Sequence, residues 1–159
     1  MSQVTRIGVI GGSGLYEMDG LTDIREQEVE TPFGSPSAPY LIGRLVGQDD
    51  VELVFLPRHG RNHQFNPSEV NYRANIFGMK ALGVSWIISV SAVGSLQEDV
   101  VPGHVVVIDQ FIDRTKNRAS TFFENGMVAH IAFGDPVCLT LRDYLLSAAR
   151  GTEATVHDG

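Results

Sequence analysis

GVIGGSGLY, residues 8–16, joins the first apolar run of the chain to a glycine-rich turn. An apolar, β-branched run that ends in glycines is typical of a buried strand followed by a turn whose backbone N–H groups can approach an anion. The hydroxyl of Ser13 adds a further donor. The same glycines are equally compatible with a tight turn that binds nothing, so the surrounding sequence has to decide between the two.

Three well-known glycine motifs do not match this turn. A dinucleotide-binding G-x-G-x-x-G would place its last glycine at Glu17, where a carboxylate would face the pyrophosphate. A triphosphate-binding loop needs a Lys that is absent here. A hydrolase G-x-S-x-G elbow needs glycine at Leu15. Two interpretations of the turn remain: it binds a small anion, or it binds nothing. An oxidoreductase that uses a nicotinamide dinucleotide is disfavoured.

The apolar pattern outside this turn predicts an α/β protein, because strands alternate with helices. One helix should begin at Asn66 with Pro67 and a capping Glu69, and end at Gly83. A second should begin at Asp135 with Pro136 and end at Gly151. Residues 152–159 resemble the start of another strand. The five predicted strands cover residues 6–10, 40–45, 51–56, 86–91 and 105–108.

A dense group of donors follows the third of these predicted strands. The segment Pro57-Arg58-His59-Gly60-Arg61-Asn62-His63 holds two arginines and two histidines in an otherwise acidic chain. Guanidinium groups match phosphate oxygens, and ligands of open α/β sheets bind at strand ends. The segment therefore indicates an anion site, with a solvated basic loop as the alternative. A zinc site at His59 and His63 is disfavoured, because Gly60 stands where the helical H-E-x-x-H motif needs Glu.

The fourth predicted strand, 86–91, also runs into a turn of small residues, Ser89-Val90-Ser91-Ala92-Val93-Gly94-Ser95-Leu96. Backbone N–H groups in such a turn can complete an oxyanion cradle. Each of the three strand-end loops is weak evidence when taken singly. Because all three follow strands, they could converge on one phosphate-sized anion, and together they are moderate evidence for such a site.

The composition limits the cellular compartment and the classes of partner that we expect. The 159 residues are 43% hydrophobic and carry a net charge of −7, which opposes binding to nucleic acid or to anionic membranes. The single Cys138 cannot form an internal disulfide, and no signal peptide or membrane span is evident. These features predict a cytoplasmic protein in which any anion site is a local cluster of donors.

Several long segments together resemble the trimeric branch of the purine nucleoside phosphorylase family, and the resemblance is spread over nearly the whole chain. The segments that carry it are IGVIGGSGLY at 7–16, TPFGSPS at 31–37, LPRHGRNHQFNPSEVNYRANIFGMKALG at 56–83, SAVGSL at 91–96 and PGHVVVIDQFIDRT at 102–115. The resemblance implies an α/β phosphorylase fold with a mixed, partly barrel-like central sheet flanked by helices. It also implies a homotrimer, with inorganic phosphate as co-substrate and neither cofactor nor metal.

The resemblance assigns roles to residues by position. Phosphate contacts fall on Ser13, Arg58, His59, Ser91 and the backbone N–H of Ala92. Contacts to the nucleoside fall on Ala92, Val93, Gly94 and, across a subunit interface, His130, for which a packing role is the alternative. Asn71 and Tyr72 are expected to hold a loop against the first helix. The catalytic residue is unknown, because the carboxylate that contacts the leaving base is expected beyond Gly159.

The implied reaction is phosphorolysis of 5'-methylthioadenosine to adenine and 5-methylthioribose 1-phosphate, a pentosyl transfer in purine and methionine salvage. The alternative is a phosphorylase for 6-oxopurine nucleosides such as methylthioinosine or inosine. A rival of another class is a non-catalytic phosphate-binding fragment. We expect residues 1–159 to form one phosphorylase domain, the N-terminal part of a longer chain.

Overall fold

The computed structural model describes residues 4–12 and 18–159, and these group into two compact units. The first unit comprises the chain up to Ser91 together with Asn117–Phe122. The second comprises Ala92–Lys116 and Phe123–Gly159. No helix within the described ranges has the length and apolar character needed to cross a membrane.

The first unit is built on a mixed five-stranded sheet with one helix. Its strands pair in the order β2-β3-β4-β1-β5, with β1 parallel to both β4 and β5, and β3 antiparallel to both β2 and β4. The predicted α/β class with a mixed sheet is confirmed. The elements are β1 (Thr5–Gly11), β2 (Leu21–Gln27), β3 (Tyr40–Leu45), β4 (Gln48–Pro57), α1 (Tyr72–Ala81) and β5 (Val84–Ser89).

The core of this unit lies against the centre of the sheet. The last six residues of β4 are buried, and the apolar run from Leu53 onwards fits a central strand. Tyr40 and Met79 are fully buried in the same cluster, which also contains Ile10, Ile42, Val54 and Leu56. The ring of Tyr40 reaches the helix, where its hydroxyl donates to the Asn75 carbonyl at 2.9 Å. This packing fixes α1 against β3 and β4.

The predicted start of the first helix is wrong by several residues. The capping signature at Asn66 and Glu69 does form: the Glu69 carboxylate accepts from Asn66 N–H at 2.9 Å, and the Asn66 side chain accepts from Glu69 N–H at 3.2 Å. It closes only an isolated turn, however. The helix begins at Tyr72, because Asn71 leaves the helical backbone region and caps Ala74 N–H with its side chain. The Asn71 amide also donates to the carbonyls of Phe33 and Ser35, at 2.7 and 3.3 Å, so it holds that loop against the helix as expected.

The second unit contains a parallel strand pair and one helix, namely β6 (Val105–Val107), α2 (Leu139–Arg150) and β7 (Val156–Asp158). The predicted start at Asp135 is wrong, since α2 begins at Leu139 after an extended Cys138 without a side-chain cap. The segment before α2 is held by a different contact, in which the Gln110 side-chain amide donates to the Gly134 carbonyl at 2.9 Å. The end at Gly151 and the strand within 152–159 are confirmed.

Candidate functional site

The candidate site lies at one edge of the first unit's sheet, where parallel strands end together. The register pairs Gly11 with Pro57 and Ile10 with Ser89, so β1, β4 and β5 finish at the same level. Residues that directly follow these strands therefore emerge side by side. The first residues after β4 and β5 are Arg58 and Val90.

Arg58 bridges two of these strand ends. Its Nη1 donates to the Val90 carbonyl at 3.2 Å, while Val90 N–H donates to the Ile10 carbonyl at 2.9 Å. Its Nε donates to Nε2 of His59 at 3.1 Å. The side chain is half-buried. These bonds engage two of the five N–H bonds of the guanidinium and hold the plane of the group in place.

The bonds of His59 define its tautomer. Nδ1 lies 2.9 Å from the Phe65 carbonyl, which can only accept a hydrogen bond, so Nδ1 carries a proton. Nε2 receives the Arg58 N–H and therefore presents a lone pair. The imidazole in this arrangement is neutral, with its proton on Nδ1, as inferred from the hydrogen-bond network. Both ring nitrogens are engaged, which fixes the orientation of the ring.

The loop that carries these residues is closed by its own backbone. Gly60 N–H donates to the Pro57 carbonyl at 2.9 Å, and Phe65 N–H donates to the His59 carbonyl at 3.1 Å. Gly60 has φ of 75°, and a Cβ there would lie 2.9 Å from Cδ of Gln64. Both the backbone conformation and the space therefore favour glycine at this position.

The basic cluster predicted from the sequence is divided in the structure. Arg61 forms an ion pair with Glu26 at 2.6 Å. The His63 ring stacks on that of His59, with centroids 6.2 Å apart. Arg58 and His59 are the members of the cluster that the structure joins to each other and to the end of β5. Arg61 is drawn away from the pair by Glu26 in the edge strand β2. The sequence did not predict this partner, because Glu26 is distant from Arg61 along the chain.

The other sequence-predicted residues are placed as follows. Ser13 lies outside the described residues. Ser91 is exposed in the first unit, next to the Val90 carbonyl that binds Arg58. The second unit carries the remaining predicted residues, all of them exposed: Ala92, Val93, Gly94 and His130.

Two main-chain acceptors were not identified from the sequence, the carbonyls of Val90 and Phe65. They orient Arg58 and His59, but a carbonyl leaves no mark in the amino-acid type. Val90 directly follows a strand, which is a weak sequence signal, whereas Phe65 lies within the loop after β4 and gives none. Across residues 4–12 and 18–159, no group of three or more His, Cys, Asp or Glu side chains is arranged to hold a metal ion.

Comparison with known proteins gives a consistent set of relatives. The model of the phosphorylase superfamily matches residues 6–159. An S-methyl-5'-thioadenosine phosphorylase of Geobacter sulfurreducens is 64% identical over 160 residues, which cover 100% of this chain and 54% of the relative. One of the same name from Thermosynechococcus vestitus is 57% identical over 143 residues, or 90% of this chain and 48% of that protein. The chain thus spans about half the length of the curated relatives that it matches.

Solved structures share the fold. A methylthioadenosine phosphorylase from an antarctic soil metagenomic library superposes with a TM-score of 0.91 at 47% identity, over 98% of this chain and 54% of the other. The methylthioadenosine phosphorylase of Schistosoma mansoni in complex with adenine gives a TM-score of 0.87 at 39% identity, over 98% and 63%. The folded core described above is therefore that of these enzymes.

Proposed function

Because the chain belongs to the phosphorylase superfamily, we propose that the protein catalyses phosphorolysis of 5'-methylthioadenosine to adenine and 5-methylthioribose 1-phosphate. The observation that carries the proposal is the Arg58–His59 pair, held at the common end of three parallel strands. The names of the relatives supply the substrate. A cytoplasmic location stays a prediction.

Phosphate binding is the part of the reaction that the first unit supports best. The N–H bonds of Arg58 that are not used by Val90 and His59 can hold oxygens of inorganic phosphate as a charged fork. The resemblance adds the Ser13 and Ser91 hydroxyls and the Ala92 N–H as further donors. Their contacts with phosphate stay predictions.

His59 would position the arginine and respond to the incoming anion. In the structure its Nε2 accepts from Arg58, so a hydrogen bond from Nε2 to phosphate requires either a second proton on the ring or transfer of the Nδ1 proton. A doubly protonated ring would add a positive charge beside the phosphate dianion. The Phe65 carbonyl favours this outcome over tautomer exchange, because it retains its donor only when Nδ1 stays protonated.

The chemistry is a displacement at the anomeric carbon. A phosphate oxygen forms a bond to C1' while the C1'–N9 bond breaks and its electron pair passes to the purine, which takes up a proton. Positive charge develops on the ribose ring in the transition state, so a fixed phosphate anion beside it stabilises that state. Protonation of the purine stays a prediction for a carboxylate beyond Gly159. No cofactor or metal has a step in this scheme.

The nucleoside contacts belong to the same proposal. Ala92, Val93 and Gly94 would line the sugar and base, and His130 would approach the 5' substituent of a nucleoside bound by a neighbouring subunit of a homotrimer. What supports these assignments is the resemblance of the segments 91–96 and 102–115 to the family. The exposure of His130 is compatible with such a role.

The test is release of adenine from methylthioadenosine by the purified full-length protein, with and without inorganic phosphate. Phosphate-dependent release supports the proposal. Release of hypoxanthine from methylthioinosine, with no release of adenine, would replace it with the 6-oxopurine alternative. Phosphate binding without release of any base would indicate the non-catalytic module.

A further inference from the structure

A cavity of about 250 Å³ opens beside the N-terminus of α1, within the first unit. It is formed by the segment before and at the start of the helix and by residues 117–119, which return to this unit from later in the chain. None of the residues proposed above for phosphate or nucleoside contributes to it. Its lining residues are Ser68, Val70, Asn71, Tyr72, Arg73, Asn117, Arg118 and Ala119.

Arg118 is held at this cavity with an unused buried donor. Its Nε is buried, and no described residue provides it with a hydrogen-bond acceptor. Its guanidinium lies over the Tyr72 ring, 4.9 Å from the centroid. The Tyr72 hydroxyl in turn donates to the Pro67 carbonyl at 3.2 Å, which anchors the ring. Because Nε is enclosed by the protein, a ligand in the cavity would meet the terminal Nη groups of Arg118 instead.

The stacking of Arg118 leaves its N–H bonds usable. Contact with the aromatic ring occupies the face of the guanidinium, whereas the N–H bonds lie in its plane. A group with two oxygens can therefore bind the edge of the guanidinium in a bidentate manner while Tyr72 supports the face. The contact between Tyr72 and Arg118 restricts both side chains, which lowers the entropic cost of binding a ligand.

The charges around the cavity favour an anion. Arg73 also lines it, with its Nη1 donating to the Thr121 carbonyl at 3.4 Å and its guanidinium over the Phe33 ring. None of the eight lining residues carries a carboxylate. The first turn of α1 contains no acidic residue either, so the positive end of the helix dipole adds to the two arginines. The Ser68 hydroxyl and the Asn117 amide supply neutral donors on the same lining. Donors contributed by two chain segments suit a tetrahedral oxyanion better than a planar one.

We propose that this cavity is a second oxyanion site, separate from the one at Arg58, which binds a phosphate group through Arg118 and Arg73. The ligand is either free inorganic phosphate or the phosphoryl group of a sugar phosphate, and the volume of the cavity admits both. Occupancy would tie residues 117–119 to the start of α1.

Equilibrium dialysis with radiolabelled inorganic phosphate tests the proposal on the full-length protein. We expect two phosphates per chain in the wild type, one in Arg118→Met, one in Arg58→Met and none in the double variant. Lys80→Met is the matched control, because Lys80 is a cation at the opposite end of the same helix. In Arg58→Met, addition of ribose 5-phosphate would displace the remaining phosphate if the site accepts sugar phosphates and leave it bound if the site is restricted to the free ion.

The outcomes separate this site from the proposed catalytic one. Wild-type stoichiometry in Arg118→Met, or a single wild-type site that disappears in Arg58→Met, would overturn the second site. A single site lost only in Arg118→Met would support it and remove the phosphate role of Arg58. If Arg118→Met does not fold, as judged by circular dichroism, Arg118→Lys is the second variant, because it keeps the charge without the planar fork. We expect it to bind phosphate at that site at least about tenfold more weakly than the wild type. Unchanged affinity in Arg118→Lys would contradict the proposal.

Discussion

Arg58 and His59, adjacent in the chain, are hydrogen-bonded to each other through Nε and Nε2 at 3.1 Å. The bond joins a permanent cation to a neutral imidazole whose other nitrogen donates to the Phe65 carbonyl at 2.9 Å. The pair is thus held at the end of β4 by its bonds to the Val90 and Phe65 carbonyls. The proposed phosphate site starts from a fixed arrangement of donors rather than from flexible side chains.

The first prediction concerns the tautomer of His59. We expect the ring of the ligand-free protein at alkaline pH to carry its proton on Nδ1, because the Phe65 carbonyl requires a donor there. Long-range ¹H–¹⁵N correlation spectra distinguish the two ring nitrogens, and His59→Gln identifies the signal. A proton on Nε2 in the ligand-free protein would contradict the arrangement. Exposed His63 provides a comparison ring.

The second prediction concerns Arg58. Arg58→Ala should raise the KM for phosphate by about 10- to 100-fold, the effect of losing charged hydrogen bonds, with a much smaller change for the nucleoside. Arg61→Ala is the control in the same loop, since Arg61 pairs with Glu26 instead. Initial rates measured over a grid of both substrates provide the two constants. A larger effect on the nucleoside KM would contradict the role of Arg58.

The third prediction concerns acid stability through Glu52, a carboxylate that is 4% exposed and bonded to Arg6 at 2.8 Å and to Arg25 at 2.9 Å. Burial alone raises the pKa of Glu52, but hydrogen bonds and charge from Arg25 and Arg6 outweigh it, so the pKa is lowered. Because the folded pKa lies below the unfolded one, the stabilisation is present above the unfolded pKa. It is lost as pH falls through the folded pKa.

Glu52→Gln should therefore destabilise the protein at neutral pH and flatten the loss of stability in acid. The arginines are 32% and 43% exposed and can regain water. We expect about 1–3 kcal/mol, less than the ~3–5 kcal/mol of a fully buried pair. Denaturant unfolding at several pH values measures both effects. The control is Glu26→Gln, an exposed carboxylate that pairs with Arg61 rather than with the arginines around Glu52. If stability falls as steeply in acid for Glu52→Gln as for the wild type, this role of Glu52 is contradicted.

The fourth prediction concerns the contact between α1 and β3. A Cβ at Gly78 would overlap the Tyr40 hydroxyl and lie 2.6 Å from Cζ of that ring. Tyr40 is fully buried and cannot move aside without disturbing the core. Gly78→Ala should cost about 1–3 kcal/mol despite the better helix propensity of Ala. Thermal unfolding measures it, with Gly134→Ala as the control because nothing lies within 4 Å of a Cβ there. Equal stability of the two variants would exclude the overlap.

The fifth prediction concerns His130. If it reaches the nucleoside of a neighbouring subunit, His130→Ala should lower kcat/KM for 5'-methylthio substrates more than for nucleosides with a 5'-hydroxyl, with the oligomer intact by light scattering. Dissociation of the oligomer would favour the packing role instead.

The strands with strong apolar signals could be predicted from the sequence, whereas polar edges could not. β4 is buried over six residues and was identified by its continuous apolar run. β2, Leu21–Gln27, was missed because six of its seven residues are exposed and its sequence is that of a polar edge strand. Local capping signatures also misplaced both helix starts. The first helix begins where Asn71 caps it and holds the Phe33 loop, and the second begins after the extended Cys138.

The candidate site shows the same division. The residue types at Arg58 and His59 could be predicted to bind an anion from their place after a strand. Which donors face one another could not, because Arg61 is taken by Glu26 and the orienting groups are the carbonyls of Val90 and Phe65. The Arg118 cavity was not anticipated, since it depends on residues 117–119 returning to α1 from about 45 positions further along the chain.

Phosphorus-31 NMR of a reaction containing methylthioadenosine and inorganic phosphate, with adenine quantified in the same sample, tests the central claim most directly. The account predicts that phosphate disappears and a sugar 1-phosphate signal appears in a one-to-one ratio with adenine. It also predicts that Arg58→Ala slows the loss of phosphate and the formation of the sugar 1-phosphate by the same factor. Adenine formed without consumption of phosphate would show hydrolysis, and would contradict phosphorolysis at the Arg58–His59 site.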